Sequence, residues 1–204
     1  MTSAIAKKKL STRKRRDEVV DAAARVFAER GFHGASTRDI SEFLGMRQAS
    51  IYYYFASKEE ALEEVCAIGT TGFIERAEVI INKKIEPDHK LAMLLEAHTQ
   101  PLVDRSDYIM TFLNERKWLP TESRRRIGRM TRRYEAFFEK VLRDGMRSGC
   151  FHKDLNPKVT AIALLGMLNS VALWHNRAGI DLEQTISILI TLAMNGTSAT
   201  NENM

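Results

Sequence analysis

Residues 36–62 read S-T-R-D-I-S-E-F-L-G-M-R-Q-A-S-I-Y-Y-Y-F-A-S-K-E-E-A-L, and the rest of the chain is organised around them. Ser36 or Thr37 is placed to cap a short helix whose Ile40, Phe43 and Leu44 share one face. Gly45 ends that helix by tolerating a positive φ. A second short helix turns Met46, Ile51 and Phe55 inward and leaves Gln48, Ala49, Ser50, Tyr52, Tyr53 and Tyr54 on its outer surface. Two short helices joined by a Gly turn, the second polar and aromatic outside, predict a helix-turn-helix of the DNA-binding kind. Three adjacent surface tyrosines favour this over an ordinary helical corner, because exposed aromatic surface is normally covered by a partner. Ser57 then caps a further helix, with Glu60 at the capping-box position.

Upstream, a helix is predicted over 13–30, stopped by Gly31, with Val19, Ala22, Ala23, Val26 and Phe27 in one stripe. It completes a three-helix DNA-binding domain over 13–60. Residues 1–12 read as a disordered basic arm. Lys7, Lys8, Lys9, Arg13, Lys14, Arg15 and Arg16 put seven positive charges into ten residues, which suits phosphate or the minor groove.

Downstream, helical spacing predicts segments over about 57–83, 87–104, 107–118, 121–148, 157–177 and 182–195. The fold class is therefore all-α, with about nine helices: the helix-turn-helix domain, a ligand-binding and dimerisation domain over 61–197, and a disordered tail over 198–204. The last two helices lack a polar side, and in so short a chain both can hardly be central. A two-fold dimer covers them, so Ile162, Leu165, Gly166, Leu168, Ile186, Leu189, Ile190 and Ala193 are expected at its interface. Arg124, Arg125, Arg126, Arg129, Arg132 and Arg133 crowd the start of the 121–148 helix, either as a solvated surface or as forks for an anionic ligand.

Charge supports the same division. Residues 1–60 hold 12 Lys/Arg against 8 Asp/Glu, and residues 61–204 hold 19 against 18, so the positive excess sits with the helix-turn-helix. Cys66 and Cys150 are too few for a disulfide framework and read as buried small apolar residues. No signal-peptide run is present, and the most apolar stretches are too short to span a bilayer, which predicts a cytoplasmic protein. The five histidines (33, 89, 98, 152, 175) show no metal-ligand spacing. There is no phosphate-cradling Gly loop and no G-x-S-x-G, so neither a metal, a cofactor nor an enzyme activity is expected.

Thr37, Ile40, Ser41, Leu44-Gly45-Met46-Arg47, Ile51-Tyr52-Tyr53-Tyr54-Phe55, Lys58 and Leu62 resemble the TetR family of bacterial one-component regulators. That family's pattern is roughly T-x-x-x-I-A, A-G-V-S, then L-Y-x-H-F-x-x-K-x-x-L. The departures are Ser41, Leu44, Met46, Arg47 and Tyr54; Arg47 stands where a capping Ser is usual. The likeness covers about residues 13–63. It implies base-edge contacts from Arg38, Arg47, Gln48, Ala49 and Tyr53, and phosphate contacts from Thr37, Ser50, Tyr52, Tyr54 and Lys58, on a palindromic operator bound by a homodimer.

Residues 164–186, L-x-G-M-L-N-S-V-A-L-W-H-N-R-A-G-I-D-L-E-Q-T-I, look like a subgroup that controls lipid or aromatic-acid breakdown, several of whose members answer to acyl-CoA thioesters. The resemblance implies an effector pocket walled by Leu95, His98, Phe112, Met130, Tyr134, Phe137, Met167, Asn169, Val171 and Trp174, with Arg129 and Arg133 meeting an acidic group. It implies a repressor released by a small molecule. The alternative is a constitutive DNA-binding protein without an effector.

Overall fold

The computed structural model describes residues 2–179 and 181–199. The side chains of residues 2–12, Val103 and 175–178 lie outside that description, as do the expectations for Lys7–Lys9, His175 and residues 200–204. Among the described residues there are nine α-helices: α1 (Thr2–Gly34), α2 (Thr37–Phe43), α3 (Gln48–Ile51), α4 (Lys58–Ile81), α5 (Pro87–Asp104), α6 (Ser106–Glu115), α7 (Thr121–Ser148), α8 (Pro157–Ala178) and α9 (Leu182–Thr197). A 3-10 turn, Arg116–Trp118, joins α6 to α7.

α1 takes in residues 2–12, where the sequence reading places a disordered arm. No Gly or Pro precedes Gly31, and Ala, Leu, Lys and Arg favour helix, so local propensity carries the helix to Thr2. Gly31, with φ 68°, ends its regular course.

The chain forms two compact units that are not sequential. The first is Met1–Gly69 with Asp107–Ile127; the second is Thr70–Ser106 with Gly128–Met204. These contact units do not follow the expected division near residue 60, because α6 returns to α1. Tyr108 Oη donates to Asp21 Oδ1 (2.6 Å), Thr111 Oγ1 to the Ala24 carbonyl (3.1 Å), and the Phe32 N–H to Glu115 Oε2 (2.8 Å). Thr111 is fully buried, so its bond satisfies a hydroxyl with no access to water. Val19, Ala23, Phe27, Ile40, Ile51, Phe55 and Leu62 make up much of this unit's buried set.

The second unit has its own core, built from Ile74, Leu91, Leu94, Leu95, Phe138, Leu142, Phe151, Ala161 and Leu168. Phe151 packs over the bare backbone of Gly145, where an added Cβ would sit 2.1 Å from its ring. The expected disordered tail is corrected at Ser198 and Ala199. His152 N–H donates to the Thr197 carbonyl and Ala199 N–H to the Cys150 carbonyl, each at 3.0 Å, closing a one-pair bridge between Phe151 and Ser198. Pro157–Trp174 of α8 is long and apolar enough to cross a membrane by length and composition alone. Its Ala161, Leu164, Leu165, Leu168 and Val171 are buried within this chain.

Candidate nucleic-acid surface and interior cluster

The two short helices are held by local chemistry that the sequence announces. Ser36 caps α2: its Oγ accepts from Asp39 N–H, and Asp39 Oδ2 accepts from Ser36 N–H at 2.7 Å. The Ser36 bond and the neighbouring Arg30 hold the Asp39 carboxyl below its usual pKa. At the other end Gly45 takes φ 62°, and Met46 N–H reaches back to the Ser41 carbonyl (2.8 Å), which closes the helix. α3 starts at Arg47 with no side-chain cap, as the missing Ser would suggest.

Ile40, Ile51 and Phe55 are buried, but Phe43 is 59% exposed. Its expected place on the inner face is corrected: α2 is only seven residues long, and its buried side consists of Ile40 and Ser41. Arg38, Arg47, Gln48, Ala49, Tyr52 and Tyr53 are exposed on this unit, with Thr37, Ser50 and Tyr54 half-buried. Tyr53 is 76% exposed, a large aromatic surface left to water.

Several of these side chains are already oriented. Gln48 Nε2 donates to Thr37 Oγ1 (3.1 Å), and Thr37 Oγ1 lies 3.4 Å from Tyr52 Oη. Gln48 keeps one amide N–H and its carbonyl oxygen, the pair needed for an adenine edge. Arg38 Nε donates to Glu42 (2.8 Å), which leaves both terminal nitrogens for guanine.

Lys58, expected on phosphate, makes its contacts within the chain. Its Nζ donates to the carbonyls of Phe32 (2.7 Å) and Ala35 (2.8 Å) and lies 4.3 Å from the Phe32 ring. An ammonium at a helix N-terminus is unfavourable, and the carbonyls of Phe32, in the last turn of α1, and of Ala35, just past it, compensate it. Arg16 is likewise internal: it bonds Glu64 and the Tyr54 carbonyl.

In the second unit, His98 gathers the polar interior. Its Nδ1 is 3.1 Å from Tyr134 Oη and its Nε2 is 3.2 Å from Asn169 Oδ1. Since Oδ1 only accepts, the proton sits on Nε2 and Nδ1 takes the tyrosine hydrogen. Burial pushes the His98 pKa down to about 4 and the Tyr134 pKa well above its usual value. Phe73 lies 5.0 Å from the His98 ring and 5.3 Å from that of Tyr134, and Phe138 meets Tyr134 edge-on.

Of the other expected pocket residues, Leu95 and Val171 are fully buried, and Met130, Phe137 and Met167 pack partly against the core. Trp174 Nε1 donates to Ser170 Oγ (3.0 Å). Arg129 is exposed, and Arg133 pairs with Glu78. Phe112 is a correction: it belongs to the first unit, beneath the Arg116 guanidinium at 4.7 Å. Sequence reading missed Phe73 and Arg76 as neighbours of His98, and Phe138 as a neighbour of Tyr134, because one-dimensional spacing does not reveal which helices face each other.

The expected interface set divides in two. Leu165 and Leu168 of α8 and Ala193 of α9 are buried in this chain's own core, a correction that follows from each helix having two apolar faces. Ile162 and Gly166 are exposed, together with Val159 and Leu173 on α8 and Ile188 and Leu192 on α9. Leu189 packs partly on the core; Ile186 and Ile190 line an open groove of about 460 Å³ with Glu96 and Gln100 of α5. Cys66 is buried, its thiol pushed up to about 12, which leaves it unreactive.

Comparison with known proteins agrees with this geometry. Residues 19–65 match the family described as bacterial regulatory proteins, tetR family, and residues 84–197 match the tetracyclin repressor-like C-terminal domain. The fatty acid metabolism regulator protein of Bacillus subtilis is 26% identical over 181 residues, which span 88% of this chain and 93% of that protein. The HTH-type transcriptional repressor KstR2 of Mycolicibacterium smegmatis is 29% identical over 149 residues, 70% of each. The solved structure of FadR from Bacillus subtilis in complex with stearoyl-CoA superposes with a TM-score of 0.74 at 26% identity, covering 88% of this chain and 97% of that one.

Proposed function

This chain belongs to the TetR family of regulators, and from that premise we propose that it is a cytoplasmic, homodimeric repressor released from its operator by an acyl-CoA thioester. The observation that carries the effector class is the similarity, along 88% of the chain, to a fatty acid metabolism regulator. A structure of the same regulator type holds stearoyl-CoA. The buried aromatic cluster of the second unit supplies an apolar surface for an acyl chain.

On the DNA side, Arg38, Arg47, Gln48, Ala49 and Tyr53 read base edges, while Ser50, Tyr52 and Tyr54 contact phosphate. Thr37 serves chiefly to orient Gln48. A single α3 spans too few base pairs for useful specificity. Two copies about 34–36 Å apart meet successive major grooves on one side of the duplex and require an inverted repeat. The exposed apolar residues Val159, Ile162, Leu173, Ile188 and Leu192 form the surface that a second copy covers.

Release is a population shift. A ligand that binds the non-operator spacing about 100-fold better supplies about 2.7 kcal/mol against DNA binding. Fluorescence anisotropy on a labelled inverted-repeat duplex, with palmitoyl-CoA, coenzyme A and palmitate added in turn, tests this. Palmitoyl-CoA is expected to weaken operator binding at least tenfold, and coenzyme A to leave it unchanged. Palmitoyl-CoA bound to the dimer with operator affinity intact would return the constitutive reading.

A further inference from the structure

Among the described residues, Arg76 on α4 is the one buried side-chain donor without a hydrogen-bond partner. Its Nε is shut off from water. A buried polar group of a charged side chain left unpaired costs about 1–3 kcal/mol or more, so this donor calls for an acceptor from outside the chain.

Its surroundings are built to hold it. Gly72, one turn earlier, lies under the guanidinium, and a Cβ there would stand 3.4 Å from Nη1. The Phe73 ring lies 5.2 Å from Cζ and forms an aromatic wall. Through Phe73, Arg76 adjoins the His98–Tyr134 pair, whose hydrogen bonds are already made to each other and to Asn169. Glu75, Asp104 and Arg105 are its charged neighbours, and burial lowers its pKa, though an arginine stays protonated throughout the physiological range. The side chain is half-exposed overall with a buried Nε, so it joins the surface to the aromatic interior.

We infer that Arg76 is the receptor for the carbonyl oxygen at the head of an acyl ligand, whose hydrocarbon chain lies against the Phe73–His98–Tyr134 surface. The inference rests on the acyl-effector reading above and assigns it a contact. A thioester carbonyl offers one oxygen to Nε. A free carboxylate offers two, which Nε and a terminal nitrogen take side by side.

The test compares palmitoyl-CoA with S-hexadecyl-CoA, the thioether of equal chain length that lacks the carbonyl, and with palmitate, using calorimetry on the full-length protein. The wild type is expected to bind palmitoyl-CoA at least tenfold more tightly than the thioether. Arg76→Gln is expected to erase that difference while leaving thioether affinity and operator affinity near wild type. Palmitate binding that also falls in Arg76→Gln would extend the contact to the carboxylate source, whereas palmitate unaffected restricts it to the thioester. Equal losses for thioester and thioether in Arg76→Gln overturn the inference and leave the acyl-CoA reading standing. A wild type that binds none of the three while still gripping its operator overturns the acyl-CoA reading itself. Should Arg76→Gln fold poorly, Arg76→Lys keeps the charge and loses the fork. It is expected to narrow the thioester–thioether difference, and an undiminished difference counts against the inference.

Discussion

Lys58→Met distinguishes two roles that one residue type can serve. A lysine on phosphate contributes to DNA affinity and nothing to folding. The Lys58 seen here donates two charge-assisted hydrogen bonds, at 2.7 and 2.8 Å, to the Phe32 and Ala35 carbonyls at the end of α1, and lies 4.3 Å from the Phe32 ring. Such bonds contribute about 1.5–3 kcal/mol each, and the cation–π contact about 0.5–1. Lys58 is only half-buried, so water recovers part of this on substitution. The net loss is about 3 kcal/mol, which in a chain of this size lowers Tm by about 6–12 °C. Thermal unfolding by circular dichroism at fixed protein concentration measures it. Operator titrations at several salt concentrations, well below Tm, supply the second readout. The slope of log affinity against log salt is expected to stay at its wild-type value. Unchanged Tm with a slope reduced by about 1.8, two phosphate contacts per dimer at about 0.9 each, would refute the internal role.

Three further outcomes follow from the same contacts. Gln48→Ala is expected to cost about 1–3 kcal/mol on the operator and relax one base position in a binding-site selection, while binding to random DNA is unchanged. Paired Ile162→Glu and Leu173→Glu changes place two charges on the exposed apolar face and are expected to give a folded monomer in analytical ultracentrifugation, whereas Leu168→Glu, in the core, is expected to unfold the chain. For His98, the imidazole takes a proton near 6.5 when unfolded and only near 4 when folded. Between those values the unfolded chain binds more protons, so stability is complete above about pH 6.5 and declines by roughly 3 kcal/mol as pH falls toward 4. Urea unfolding across that range should show the decline in the wild type and a smaller one in His98→Gln.

The helix-turn-helix could be read directly because its determinants are local. Ser36, Gly45, Ile51 and Ser57 act on neighbours within five residues, and caps, turns and periodicity depend on such short distances. The helix bounds of α5 and α7 were legible for the same reason: Pro87 starts one, Pro120 precedes the other, and Gly149 stops it. Tertiary contacts decided the rest. Thr111 and Glu115 bond to α1 across more than eighty positions of chain, so no window on the sequence could assign α6 to the first unit. Composition marked α8 as apolar all round, but only packing separated Leu165 and Leu168, turned inward, from Ile162 and Leu173, turned out. The same holds for the site residues. A lysine or arginine carries one charge in any sequence, and whether it meets a carbonyl, as Lys58 does, or finds no partner for Nε among the described residues, as Arg76 does, depends on which backbone or ring the fold brings beside it.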